Sequence, residues 1–194
     1  MEALTQDMQW RVARPADFPA IIRLVNEAYR GETGRKGWTT ESDLLEGQRV
    51  GAEQLRDLLE KPKSAILLVF LSSISDQAPR LVGCVHVQAK ENSRAYLGML
   101  TIDVAIQSRG LGSHLMYLAE SYVRSSFDAR KIEMTVIGQR LDIIRWYEKR
   151  GYHLTGEHRT FPYGDERFGK PLRPDLYFEV LEKSLVDGFT AELI

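Results

Sequence analysis

The sequence predicts a mixed α/β fold in a single domain spanning residues 1–194, and three observations carry that expectation. Residues 100–112 read as a strand running into a Gly-rich turn. Directly after it, Leu115, Leu118, Ala119, Tyr122 and Val123 recur at the spacing of a buried helix face. Residues 65–71 form a continuous apolar run, as in a central strand with both faces covered. Residues 131–137 then alternate as a neighbouring strand before another short helical pattern.

The remaining elements follow in order. Residues 8–14 read as the first strand, and Pro15, Ala16 and Asp17 open a helix with Ile21, Leu24, Val25 and Ala28 on one face. Thr40 with Asp43 three residues later is a capping pair for a short second helix. A helical segment at 53–61 stops at Pro62, which cannot continue it. A polar loop at 72–80 links the apolar run to a strand at 81–89. Glu91, Asn92 and Ser93 turn the chain into the strand that ends at Ile102. Gly151 closes the late helix in a left-handed conformation. The last strands are 152–160 and 176–181, around a loop holding Pro162, Gly164, Gly169, Pro171 and Pro174. No repeat, low-complexity tract or linker divides the chain.

Composition excludes several classes. A formal net charge of -1 gives no general attraction for nucleic acid or an anionic membrane. No apolar run is long enough to span a bilayer, and the N-terminus lacks a signal-peptide core. The single cysteine, Cys84, lies within an apolar strand, where it acts as a small buried residue in a reducing compartment. The expected location is cytoplasmic. His86, His114, His153 and His158 show no ligand spacing, so no metal is expected.

The Gly-rich turn carries the functional signal. A strand, a Gly turn and a helix N-terminus make a phosphate cradle, because unpaired amides and the helix dipole both favour negative charge there. The glycines Gly110 and Gly112 allow close backbone approach. No G-x-x-x-x-G-K-[ST] is present, and no third glycine completes G-x-G-x-x-G. The remaining pattern, Q-x-R-G-L-G after a strand ending L-T-I-D, resembles motif A of the GNAT N-acetyltransferases. Downstream, Ile143, Ile144, Arg145, Trp146, Tyr147, Glu148, Lys149, Arg150, Gly151 and Tyr152 resemble motif B of the same family.

The resemblance implies a GNAT fold: a central mixed, mostly antiparallel seven-stranded sheet flanked by helices, with a V-shaped splay after the motif A strand. It implies acetyl-CoA as co-substrate. Leu100, Thr101 and Ile102 would pair their backbone with the pantetheine arm, and Gln107, Ser108, Arg109, Gly110, Leu111, Gly112 and Ser113 would hold the diphosphate. Tyr147 would point its hydroxyl at the sulfur as general acid, its unperturbed pKa of about 10 keeping it protonated. Transfer would be direct, with no acyl-enzyme. Two positions depart from the family pattern. Arg140 stands where many members have Asn, and Val104 where many have Pro.

The acceptor amine must be neutral when it attacks, which calls for a base. Glu133 lies on the strand beside motif A, with its face left open by alternation. Glu32 lies in the segment 29–41, which GNAT topology places at the acceptor side with Tyr29, Arg30, Trp38 and Glu41. Phe161 and Tyr163 would form the other acceptor wall. Aromatic residues and a few charges suggest a small primary amine: an amino acid, an amino metabolite or an amine xenobiotic. Protein lysine or N-terminal acetylation and non-catalytic acyl-CoA sensing are the alternatives. Leu185, Val186, Phe189 and Leu193 are candidate packing residues in a homodimer, with a monomer equally open.

Overall fold

A computed structural model describes residues 8–30, 40–72, 79–107 and 110–186. The expectations placed on Glu32, Trp38, Ser108, Arg109, Phe189 and Leu193 fall outside those residues.

The chain starts with β1 (Met8–Val12), a 3-10 turn at Pro15–Asp17 and α1 (Phe18–Arg30). Next come β2 (Leu45–Glu46), α2 (Ala52–Glu60), β3 (Ser64–Leu71), β4 (Arg80–Lys90) and β5 (Arg94–Ile102). Then follow α3 (Leu111–Phe127), β6 (Lys131–Ile137), α4 (Leu141–Glu148), β7 (His153–Thr160), β8 (Lys170–Pro171) and β9 (Tyr177–Ser184). Seven strands form one sheet in the order β1-β3-β4-β5-β6-β9-β7. Only the β5–β6 pair is parallel. The strand expectations hold to within a few residues at their ends.

The apolar run in β3 explains the layering. Ala65, Leu67 and Val69 point into one core with α3 residues such as Leu115 and Ala119. Ile66 and Leu68 point into a second core with Ile21, Leu24 and Val25 of α1 and Leu55 of α2. Alternation by two places successive side chains on opposite faces, so a strand apolar throughout is one covered on both sides. Each fully buried aliphatic side chain there contributes roughly 1.5–3 kcal/mol of transfer free energy. Cys84 is fully buried in the second core, and burial pushes its thiol pKa up to about 12.

Two irregularities open the sheet. Strands β5 and β6 pair only through Arg94, Ala95 and Tyr96 opposite Lys131, Ile132 and Glu133. Beyond Tyr96 they part, which leaves the rest of β5 without a neighbour on that side. The expected splay is therefore present. Within the bare stretch, Met99 has φ +54° and the β4–β5 register slips between Cys84 and His86, so β5 carries a bulge. The Thr101 hydroxyl donates to the Met99 carbonyl across that bulge at 3.1 Å.

One expected element is absent. Thr40 and Asp43 do not cap a second helix; residues 42–44 form a turn, with the amides of Leu44 and Leu45 both donating to the Glu41 carbonyl. The Thr40 hydroxyl instead donates to Ser42 Oγ at 3.0 Å, and β2 pairs with β8 in a two-stranded ribbon. A local capping signal lost to a long-range strand pairing here. The other late signal held, since Gly151 follows α4 at φ +84°.

Candidate active site

The parted strands β5 and β6 leave a cavity of about 160 Å³ between them. Leu100 of β5, Met134 and Val136 of β6, and Tyr147 of α4 line it. The lining also takes in Tyr29 and Arg30 at the end of α1, Glu41, and Leu45, Phe161, Phe168 and Phe178.

The first turn of α3 leaves backbone amides without a side-chain cap. Its N-cap, Gly110, is left-handed at φ +84°, where any Cβ is strained, and no side chain caps the helix. The amides of Ser113 and His114 return to the Gly110 carbonyl. The preceding amides are the ones a helix start leaves for a ligand. Gly112 has a different reason to be glycine: a Cβ there would stand 3.2 Å from the Trp146 ring, a tighter approach than ordinary packing against α4 allows without a small shift.

Gln107 and Ser113 are side chains already in use. Gln107 Nε2 donates to the Ile102 carbonyl at 3.1 Å, tying the turn to the end of β5. Ser113 Oγ accepts from Arg150 Nη2 at 2.7 Å and Nε at 3.1 Å. Arg150 also donates to the Trp146 carbonyl and lies 3.5 Å from the centre of its ring. This puts a guanidinium at the first turn of α3. The spacing of four between Arg150 and Trp146 was the sequence signal for their contact.

Tyr147 is buried and lines the cavity, packed edge-on against Trp146 and Tyr152. Its hydroxyl makes no hydrogen bond among the described residues. Burial, with the nearby Tyr29 and Tyr96, raises its pKa well above the usual phenol value, so it carries its proton at every physiological pH. Tyr29 stands opposite, its hydroxyl donating to the Leu100 carbonyl at 2.9 Å. Burial, then Glu41, pushes the Tyr29 pKa up to about 12.

The acceptor candidates divide. Tyr29, Arg30, Glu41 and Phe161 line the cavity together. Arg30 Nη1 donates to Glu41 Oε2 at 2.6 Å, with the two side chains 7% and 15% exposed. Glu133 does not join them: it faces Arg94 at 3.0 Å and Arg159 at 3.3 Å, in an ion-pair group with Glu182. It stands opposite Tyr96 at the last paired position of β5 and β6, short of the stretch where the strands part. Tyr163 is also elsewhere, donating to the Arg173 carbonyl at 3.1 Å and accepting from the Leu176 amide at 2.7 Å. It braces its own loop.

Arg140 performs a structural task at the family Asn position. It grips Asp142 through Nε and Nη2 at 3.0 and 2.9 Å, and Nη1 donates to the Thr40 carbonyl. That last bond ties the acceptor segment to the start of α4. Arg49, over the Tyr29 ring at 5.4 Å, was not foreseen as a lining residue, nor were Phe168 and Phe178. Among the described residues no group of His, Cys, Asp and Glu is arranged to hold a metal.

The profile of the acetyltransferase (GNAT) family matches residues 20–152, more than half of the chain. The chain belongs to the GNAT acetyltransferase family. It is thus an N-acetyltransferase with acetyl-CoA as its acyl donor. Solved structures with the same fold include spermidine N-acetyltransferase from Vibrio cholerae in complex with CoA and spermine. That structure is 14% identical, with a TM-score of 0.64 over 93% of this chain and 96% of that one. An N-acetyltransferase from Staphylococcus aureus Mu50 is 13% identical, at 0.63 over 92% and 99%. A GNAT-family acetyltransferase from Streptococcus pneumoniae is 18% identical, at 0.59 over 92% and 99%. Identities this low speak for the fold alone. No curated protein sequence matches the chain. No helix among the described residues is long and apolar enough to cross a membrane.

Proposed function

We propose that this GNAT protein transfers the acetyl group of acetyl-CoA directly to the primary amine of a small molecule. The observation that carries this is the cavity's lining: β5 residues of the unpaired stretch and Tyr147 share one space of about 160 Å³ with Phe161, Phe168 and the Arg30–Glu41 pair. A space of this size suits a small amine better than a protein chain. The Vibrio cholerae relative, solved with spermine, agrees with that class of acceptor.

In this reading the bare edge at Leu100, Thr101 and Ile102 takes the pantetheine arm as a further strand would be taken. A backbone amide there donates to the thioester oxygen, a bond that strengthens as charge develops. The residues Gln107 to Ser113 cradle the diphosphate, with the guanidinium of Arg150 beside them. Tyr147 donates its proton or hydrogen bond to the departing sulfur. Glu41 is the carboxylate of the described cavity lining and draws the acceptor ammonium in; Glu32 remains a candidate base, and Glu133, engaged by two arginines, is not assigned to the site. A cytoplasmic setting suits the lone buried thiol of Cys84.

The test is CoA thiol release from acetyl-CoA with a panel of amino acids, polyamines, arylamines, aminoglycosides and lysine peptides. Release with small amines and none with peptides is expected. Preference for peptides would overturn the acceptor class, and release with no amine would overturn the transferase reading.

A further inference from the structure

Where β5 and β6 part, a pair of hydroxyls reaches across the gap. Tyr96 is the last β5 residue with a partner on β6, and Thr135 lies two residues beyond that partner, Glu133. Tyr96 Oη and Thr135 Oγ1 are nevertheless 3.2 Å apart, within hydrogen-bond distance. The Tyr96 ring gets there by lying lengthwise along its own strand. A Cβ at Gly98 would stand 2.8 Å from Cε1 of that ring and 3.2 Å from its Oη, so the phenol covers the space a side chain would fill. Residues two apart share one face of a strand, and Gly98 leaves that face bare for it. Tyr96, Gly98 and Thr135 all line the cavity, and each keeps part of its surface exposed.

Other polar groups near the parting are committed. Tyr29 donates to the Leu100 carbonyl at 2.9 Å, and Glu41 accepts from Arg30 at 2.6 Å. Glu133 is engaged by Arg94 and Arg159. Burial, then Tyr29, then Tyr96 raise the Tyr147 pKa, so the Tyr96 phenol lies within electrostatic reach of Tyr147. Within the hydroxyl pair the more acidic phenol donates to the threonine oxygen, which leaves the lone pairs of Tyr96 Oη open as acceptors.

We infer that Tyr96 is a catalytic residue for the acceptor: its Oη accepts a hydrogen bond from an N–H of the neutral amine and aims the nitrogen lone pair at the thioester carbon. This inference rests on the transferase reading. The bond strengthens as the nitrogen becomes positive during attack, so it favours the transition state over the bound amine. Thr135 is a positioning residue: by accepting the phenol proton it fixes which way the Tyr96 lone pairs face. The same crossing sets the attacking nitrogen at the point where the bare stretch of β5 begins, on a different wall of the cavity from Tyr147 and the departing sulfur.

The experiment measures initial rates of CoA release with spermidine, L-phenylalanine and tryptamine for the wild type, Tyr96→Phe, Thr135→Val, Thr135→Ser and the double variant Tyr96→Phe/Thr135→Val. Phenylalanine keeps the ring over Gly98 and removes only the hydroxyl. Tyr96→Phe lowers kcat by roughly 30–100-fold, the order of loss that follows from misplacing a reacting atom, with calorimetric acetyl-CoA affinity within about twofold of wild type. Thr135→Val lowers kcat about tenfold, Thr135→Ser restores it to within about threefold, and the double variant is no slower than Tyr96→Phe alone, because Thr135 acts only through the phenol. Multiplying losses in the double variant would overturn the role given to Thr135. Weakened acetyl-CoA binding with kcat intact would make the pair a brace between strands and overturn the inference. So would a Tyr96→Phe protein as fast as the wild type, which would leave the transferase reading standing. A wild type that releases CoA with no amine would overturn that reading and the inference with it.

Discussion

In the proposed function the donor end of the cleft is made of backbone: the β5 edge beyond Tyr96 and the uncapped first turn of α3. At its acceptor end it is made of side chains from distant segments, with Arg30 of α1 against Glu41 and Phe161 against Phe178 of β9. A backbone edge recognises its ligand whatever the side chains around it, so the donor end tolerates substitution except where backbone geometry is at stake. The acceptor end has no such buffer. Under the proposed function each of its charges and rings sets what enters, and specificity resides there.

Tyr147 sits where the two ends meet, and its removal produces the largest effect. Tyr147→Phe lowers kcat by about 10²–10³-fold, the usual worth of a positioned proton donor, with the acetyl-CoA KM within about twofold of wild type. Steady-state kinetics check this; a rise in KM with kcat intact would make Tyr147 a packing residue of the donor end.

Acid acts on the sheet beneath both ends. His86 is buried with Nε2 2.9 Å from Ser64 Oγ, and burial, then Lys61 and Lys90, lowers its pKa from 6.5 to about 4. Between those values the unfolded chain binds a proton that the folded chain refuses. Stability is therefore full above about pH 6.5 and falls as pH drops toward 4, by about 3 kcal/mol for this group. Urea unfolding of wild type and His86→Gln at pH 7 and pH 4.5 measures the difference; a wild-type slope no steeper than the variant's would contradict it.

Gly110→Ala probes the donor end alone. A Cβ at φ +84° costs about 1–2 kcal/mol. The acetyl-CoA KM rises roughly tenfold, while the ratio among acceptors stays at its wild-type value. A changed acceptor ratio would blur the division between the ends.

Tyr29→Phe has the smallest effect, and it tests the link between them. It removes the bond to the Leu100 carbonyl, worth about 1 kcal/mol. Both substrates' kcat/KM fall several-fold together; a loss confined to one substrate would place Tyr29 at one end only.

The donor end was largely legible in the sequence because its signals are local. The strand, the Gly turn, the α3 face and Tyr147 followed by Gly151 are read within a few dozen residues. Periodicity also gave β3 its two buried faces, confirmed by Leu67 and Leu68 falling in different cores. The acceptor end was legible only as a list of residue types. That Glu133 pairs with Arg94 and Arg159, or that Arg140 reaches the Thr40 carbonyl, depends on strand register and tertiary approach, which single-sequence patterns do not carry. The β2–β8 ribbon, two residues per strand, is too short for any period to announce. Gly112 was legible as a needed glycine but for another cause, since the Trp146 ring lies one helix away.

The most direct test of the account is an initial-rate matrix of acetyl-CoA against a small amine, run for wild type and Tyr147→Phe. Direct transfer past Tyr147 predicts intersecting double-reciprocal lines for the wild type and a kcat depressed at least about 100-fold in the variant. Parallel lines, which mark an acyl-enzyme, or a variant as fast as wild type would contradict it.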